Sequence, residues 1–301
     1  MSASGSDNLK VTIVEVGPRD GLQNETGFVD TRSKIALIDM LSGCGFKRIE
    51  ATSFVSSRWV PQMADAAEVM AGIERRAGVI YSVLAPNLKG CEAAIAARAD
   101  EVAVFASASE SFSRKNINCS IAESLLRFRP VVEAAKAARI PIRGYVSCVV
   151  ECPYEGPVVP DAVARIAAEL QALGCHEVSL GDTIGQGRPE TTAAMLDAVL
   201  SAVPADRLAG HFHDTNGRAL DNIKVSLERG LRVFDSAIAG LGGCPYAPGA
   251  EGNVDTVKVN SLLRQLGYET GLDDGGLSAA ASFARALKRS AVRPQSLPET
   301  T

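Results

Sequence analysis

The chain has 301 residues, 46% hydrophobic and 22% charged, proportions that favour a large folded core and exclude disorder for its bulk. Thirty-one Lys and Arg stand against 35 Asp and Glu, a formal net charge of −4, and no basic run tracks a phosphate backbone, which argues against nucleic acid and anionic membranes as partners. The apolar stretches are short and broken by charge or glycine, and no secretory signal opens the chain, so a soluble, cytoplasmic protein is expected. Seven Cys, an odd count without the dense spacing of a disulfide scaffold, read as reduced thiols. Only three His occur, so any clustering among them is informative.

In chain order, the β-branched run Val11–Val16 predicts a strand, and a helical pattern follows over Ser33–Leu41. The alternation repeats with strand Arg48–Phe54 and helix Gln62–Ile73, strand Val79–Leu84 and helix Leu88–Ala97, and strand Glu101–Ala106 and helix Ala122–Ala138. The second half continues with strand Pro141–Val150 and helix Ala162–Leu173, then strand Glu177–Leu180 and helix Thr191–Ala202. Strand Leu208–His213 with helix Asn216–Glu228 and strand Val233–Ile238 with helix Val254–Leu266 complete the series. Eight units is the number that closes a (β/α)8 TIM barrel, an α/β fold. An additional C-terminal helix near Leu277–Lys288 is expected to pack outside it. The barrel is expected over 11–290, with 1–10 and 291–301 as mobile ends. No G-x-G-x-x-G, Walker-type loop or G-x-S-x-G elbow is present, which disfavours dinucleotide, phosphate-loop and serine-hydrolase chemistry.

Barrel active sites lie at the C-terminal ends of the strands, so polar residues just after each strand are the candidates. Strand 1 runs into Gly17-Pro18-Arg19-Asp20-Gly21. The composition suits a plain turn, yet Arg19 beside Asp20 also offers a permanent cation and a hard oxygen ligand. His211 and His213 are one residue apart, so on an extended strand both imidazoles face the same side. Two His filling the top layer of the barrel by hydrogen bonding is the competing reading. His176 opens strand 6 at the opposite end and reads as structural. Beyond strand 8 lies a Gly-rich stretch from Gly240 to Asn253, either lid or phosphate cradle. It carries Cys244, which a loop over the barrel mouth would expose to chemistry, whereas Cys44, Cys91 and Cys175 lie where helices end or pack, and Cys148 and Cys152 lack the partners of a closed metal site. Glu50 and Asp182-Thr183 add carboxylates and a hydroxyl at the same rim, although each could simply cap a helix or hold a loop. Asp20, His211, His213 and Asn253 together offer two oxygens and two nitrogens, a mixed set that suits Mg²⁺ or Mn²⁺ with positions open to substrate.

These residues carry a resemblance. Segments Glu15–Glu25, Ala51–Ser56, Ser179–Gly185, His211–Thr215 and Gly240–Tyr246 resemble the 3-hydroxy-3-methylglutaryl-CoA lyases of the DRE-TIM metallolyase group, over nearly the whole barrel. The resemblance implies a retro-Claisen cleavage of an acyl-CoA substrate to acetyl-CoA and acetoacetate, and a homodimer. It implies that Asp20, His211, His213 and Asn253 ligate a divalent cation, that Arg19 stabilises the enolate, and that Cys244 takes part in proton transfer. Glu50 and Asp182 would support the substrate, His211 would relay the hydroxyl proton, and Gln23 and Thr183 join Arg19 as expected substrate-binding residues. Thr26 stands where the family commonly has Lys, and Val254–Lys258 departs from the usual acidic pattern. Both departures bear on the acyl group, so a lyase for a longer 3-hydroxy-3-alkylglutaryl-CoA is one alternative. A related metal-dependent aldolase or Claisen-type synthase, and a non-catalytic metal-binding scaffold, are the others.

Overall fold

A computed structural model describes residues 9–25, 27–242 and 252–290. Eight parallel strands close into a barrel: β1 (Thr12–Glu15), β2 (Arg48–Ser53), β3 (Ile80–Leu84), β4 (Glu101–Ser107), β5 (Ile142–Ser147), β6 (Glu177–Asp182), β7 (Leu208–Phe212) and β8 (Val233–Ser236). Each strand pairs with its sequence neighbours, and β1 pairs with β8 to close the ring. Ten helices alternate with the strands among the described residues: α1 (Thr31–Ser42), α2 (Ala66–Gly72), α3 (Leu88–Ala96), α4 (Glu110–Ile117), α5 (Ile121–Ala137), α6 (Pro160–Leu173), α7 (Pro189–Leu200), α8 (Ala219–Glu228), α9 (Thr256–Gln265) and α10 (Asp274–Ser290). This is the expected (β/α)8 barrel with its extra C-terminal helix. None of the described helices is long and apolar enough to cross a membrane.

Where boundaries differ from expectation, local chemistry explains the shift. The strand expected to run to Val150 stops at Ser147, because Cys148 takes φ +60° and the chain turns into a small hairpin of Glu151–Cys152 against Gly156–Pro157. The helix expected from Gln62 divides into a short turn at Pro61–Met63 and α2, whose preceding Asp65 is held by Lys34 at 2.7 Å. α8 begins at Ala219 rather than Asn216, since Asn216 Nδ2 donates to Gly185 O and Gly217 takes φ +67°. α4 is an element the sequence reading did not anticipate. Leu9 O accepts from Glu269 N at 2.8 Å and Lys10 bridges Glu269, so these two residues are tied to the barrel; 1–8 and 291–301 lie outside the described residues.

The period of two along each strand sorts its side chains. Ile49, Val146, Val178, Leu180 and Phe234 are buried with Leu37, Ile38, Leu41, Val163 and Leu196 of the surrounding helices in one continuous core. Each such side chain contributes ~1.5–3 kcal/mol on full burial. The alternate positions Arg48, Glu50, Arg143, Tyr145, Glu177, Ser179 and Asp235 are also buried, but inside the barrel, where they bond to one another. The barrel interior is therefore polar and charged, and that charge leads directly to the site. α10 packs on α1 with Leu277, Ala280, Ala281 and Ala284 inward.

Candidate active site

The segment after β1 is a single wide turn in which the backbone N–H groups of Arg19, Asp20 and Gly21 all donate to Val16 O, at 3.2, 2.8 and 3.2 Å. Beneath it, Glu15 Oε1 accepts from Gly17 N and Ile238 N, both at 2.8 Å, while Oε2 accepts from Thr256 Oγ1 at 2.7 Å. A Cβ on Gly17 would stand 2.5 Å from Glu15 Oε1, so only glycine allows this approach. Burial pushes the Glu15 carboxyl up to about 7 in spite of its three donors. The turn aims Arg19 and Asp20 over the barrel mouth. Arg19 Nε donates to Glu50 Oε2 at 2.7 Å, its Nη1 donates to Asp20 Oδ1 at 2.6 Å, and the guanidinium lies 5.6 Å from the centre of the Tyr145 ring.

His211 on β7 and His213 just beyond it bring their rings to 5.4 Å apart. The segment 252–254 runs alongside 212–214, with Asp214 N donating to Gly252 O at 2.7 Å and Val254 N to Phe212 O at 3.2 Å. That pairing delivers Asn253, whose Nδ2 donates to Asp20 Oδ2 at 2.7 Å. One candidate ligand atom from each of Asp20, His211 and His213 lies within 4.8 Å of the others. Burial alone would raise the Asp20 pKa, but Arg19, followed by His211 and His213, pulls it down to about 2. Burial and the adjacent His211 push His213 down to about 4. Asp20 is thus ionised and His213 neutral at neutral pH, the states metal ligands require.

Two further observations fit a divalent cation here. His213 Nδ1 is buried with no partner among the described residues, a rare condition for a buried ring nitrogen. The connected interior groups also carry a charge deficit: three arginines, Arg19, Arg48 and Arg143, face five carboxylates, Asp20, Glu50, Glu101, Glu177 and Asp235. Burial lowers the His211 pKa but the Asp235 carboxylate and Asp20 raise it further, so in the absence of a cation a proton on His211 offsets part of this excess.

Arg19, Asp20, Glu50, His211, His213 and Asn253 therefore converge. Glu50 shares Oε2 between Arg19 and the Tyr145 hydroxyl at 3.3 Å, and its Oε1 is buried without a partner among the described residues, as is Gln23 Oε1. Burial raises the Glu50 pKa against the pull of Arg19. Asp182 holds the loop that follows it, accepting from Gln186 N at 3.1 Å and Gly187 N at 2.8 Å, and burial lifts its pKa to about 6. The Thr183 hydroxyl accepts from Cys148 N at 2.8 Å. Cys244 and Thr26 lie outside the described residues. His176, read as structural, contacts Glu101 Oε2 through Nε2 at 2.6 Å at the far end of the barrel. Tyr145, Arg143, Ser179 and Asp235 join the site without standing in any of the motifs at the strand ends. Their signal is polar side chains at alternate positions of otherwise apolar strands.

The family model described as HMGL-like matches residues 10–283. A mitochondrial hydroxymethylglutaryl-CoA lyase of Arabidopsis thaliana is 59% identical over 91% of this chain, which spans 58% of that relative's length. A 3-hydroxy-3-isohexenylglutaryl-CoA/hydroxy-methylglutaryl-CoA lyase of Pseudomonas aeruginosa is 60% identical over 88% of each chain. The crystal structure of the HMG-CoA lyase of Brucella melitensis superposes with a TM-score of 0.93 at 66% identity, covering 93% of this chain and 99% of that one. The barrel, the Asp-His-His cluster at its mouth and these likenesses agree, and the chain belongs to the hydroxymethylglutaryl-CoA lyase family.

Proposed function

We propose that this chain cleaves 3-hydroxy-3-methylglutaryl-CoA to acetyl-CoA and acetoacetate in a divalent-metal-dependent retro-Claisen reaction. The observation that carries the reading is the meeting of Arg19 with the Asp20, His211 and His213 cluster at the C-terminal end of the barrel. Asp20, His211, His213 and the Asn253 amide oxygen would hold Mg²⁺ or Mn²⁺, which when bound acidifies a substrate hydroxyl and gathers substrate oxygens. The substrate loses its C3 hydroxyl proton, the C2–C3 bond breaks, and the electron pair passes to C2 and the thioester oxygen as C3 becomes a ketone. On sequence likeness His211 relays the hydroxyl proton, a role open to its Nε2 only while that nitrogen does not hold the cation. Arg19 meets the negative charge on the thioester oxygen, and Glu50 and Asp20 hold the guanidinium in place beforehand, so little reorganisation is needed as charge develops. A proton then returns to C2, a role assigned to Cys244 on sequence likeness alone. Gln23, whose buried amide oxygen has no partner among the described residues, and Thr183 remain substrate-binding proposals, and the homodimer is a further proposal, tested by sedimentation.

A second reading has one specific support, the 3-hydroxy-3-isohexenylglutaryl-CoA in the name of the Pseudomonas aeruginosa relative. A longer acyl branch would use the same Arg19 and metal ligands and a different pocket. Incubating the protein with Mg²⁺ or Mn²⁺ and a panel of 3-hydroxy-3-alkylglutaryl-CoA thioesters, and following acetyl-CoA release, decides between the two. Release from the methyl compound with loss of activity under chelation is expected. Condensation of acetyl-CoA with 2-oxo acids and no cleavage of any thioester would overturn the lyase reading.

A further inference from the structure

Asp235 sits in the middle of the barrel, 2% exposed, and accepts from Arg143 and Ser179. Its Oδ1 accepts from Arg143 Nη2 at 2.8 Å, and its Oδ2 accepts from Ser179 Oγ at 2.8 Å and from Arg143 Nη1 at 3.2 Å. The remaining contact is His211 Nδ1, 3.1 Å from Oδ2. An ionised carboxylate has no proton to give, so the proton in this contact belongs to the imidazole. That leaves the lone pair of the neutral ring on Nε2, the nitrogen 3.9 Å from Asp20 Oδ2.

Asp235 has little freedom to move. The guanidinium that grips it spends Nε on Glu177 Oε1 at 2.7 Å and also donates through Nη1 to the Tyr145 hydroxyl at 2.8 Å. Glu177 is held in turn by Arg48 Nη1 at 2.8 Å, and Arg48 Nη2 reaches both oxygens of Glu101 at 3.0 Å. Residues of β5 and β6, backed by Arg48 of β2 and Glu101 of β4, thus fix one carboxylate of β8 beneath one histidine. None of these residues is a candidate ligand.

We infer that Asp235 is the positioning residue of the candidate metal centre: it fixes His211 as the Nδ1–H tautomer with Nε2 turned toward Asp20 and His213, and Arg143 and Ser179 keep it there. The inference rests on reading that cluster as a metal site. Carboxylates that back a metal-bound histidine typically govern affinity by about 10- to 100-fold.

The test uses ¹⁵N-histidine-labelled full-length protein, whose three His give few enough ring signals to assign. In the metal-free protein at alkaline pH, His211 is expected as the Nδ1–H tautomer. Asp235→Ala removes the acceptor and shifts the population toward Nε2–H; Asp235→Asn, whose oxygen stays with Arg143 while its NH₂ donates to Nδ1, shifts it at least as far. Mn²⁺ affinity, read from free Mn²⁺ by electron paramagnetic resonance, falls about 10- to 100-fold in the Ala variant, and excess Mn²⁺ restores part of the lost turnover. Ser179→Ala loosens Asp235 without removing it and gives a smaller loss in the same direction; it decides the matter if both Asp235 variants fail to fold. Wild-type tautomer and wild-type Mn²⁺ affinity in the folded variants, with only thermal stability lowered, would overturn the inference. Failure of the underlying metal reading looks different, because wild-type protein itself would then bind no Mn²⁺.

Discussion

Arg19 is the residue on which the proposed chemistry turns. Its guanidinium is buried between Glu50 and Asp20 at 2.7 and 2.6 Å, so it is fixed before substrate arrives. A charge held in place where an enolate oxygen develops acts mainly on the transition state, and losing one such donor costs about 10²–10³ in kcat. Arg19→Gln is therefore expected to lower kcat by about that factor with a much smaller change in KM, in steady-state assays of acetyl-CoA release. An unchanged kcat would remove Arg19 from the reaction. Legibility at this scale depended on local spacing. Arg19-Asp20 and His211-Phe212-His213 announce themselves because neighbours in sequence share a turn or a strand face. Asp235 does not, since its meaning comes from partners 24, 56 and 92 residues away. Within Val233–Ser236 it reads as one polar residue in a short strand.

Among the elements, the alternation of strands and helices was legible because eight apolar strand patterns and their amphipathic helices carry distinct periods. The hairpin after β5 was not, because Val149-Val150-Glu151-Cys152 continues a strand pattern and only the φ of +60° at Cys148 breaks it. The turn after β1 was half legible: its glycines and proline marked a turn, while the Glu15 carboxylate that ties β1, the end of β8 and α9 together lay hidden inside the strand. Glu15 makes a stability prediction with a definite sign. Its folded pKa of about 7 lies above the ordinary 4.5, so the folded state holds a proton that the unfolded chain releases. This contribution is complete below pH about 4.5 and is lost as pH rises through about 7. Glu15→Gln keeps an oxygen for Gly17 N and Ile238 N, presents its NH₂ to Thr256 Oγ1, and removes the ionisation. Melting curves between pH 5 and 8.5 are expected to fall less steeply with pH for Glu15→Gln than for the parent, and to cross in favour of the variant at the alkaline end. Parallel curves would show that Glu15 does not titrate on folding.

Taken as a whole, the molecule stacks charge along the barrel axis, from His176 and Glu101 at one end through Arg48, Glu177, Arg143 and Asp235 to His211 and Asp20 at the other. Most barrels fill this space with aliphatic layers. Buried ion pairs offset their own desolvation poorly unless every charge is matched, and here five carboxylates face three arginines along the axis. A cation bound at the candidate ligands belongs to the folded state alone, because the unfolded chain has no such cluster, so it stabilises by mass action. At about 100 times Kd the gain is ~2.7 kcal/mol, which for a chain somewhat above 250 residues is roughly 5 °C in Tm. Calorimetry or fluorescence melts of chelated protein are expected to rise by about that amount with Mn²⁺ and to keep rising with its concentration. His213→Ala removes a ligand and leaves the barrel network beneath it intact, so its own melt should respond far less to Mn²⁺. A parent protein whose Tm ignores Mn²⁺ at concentrations that saturate turnover would separate the cation from this cluster, and an undiminished response in His213→Ala would move it to other ligands.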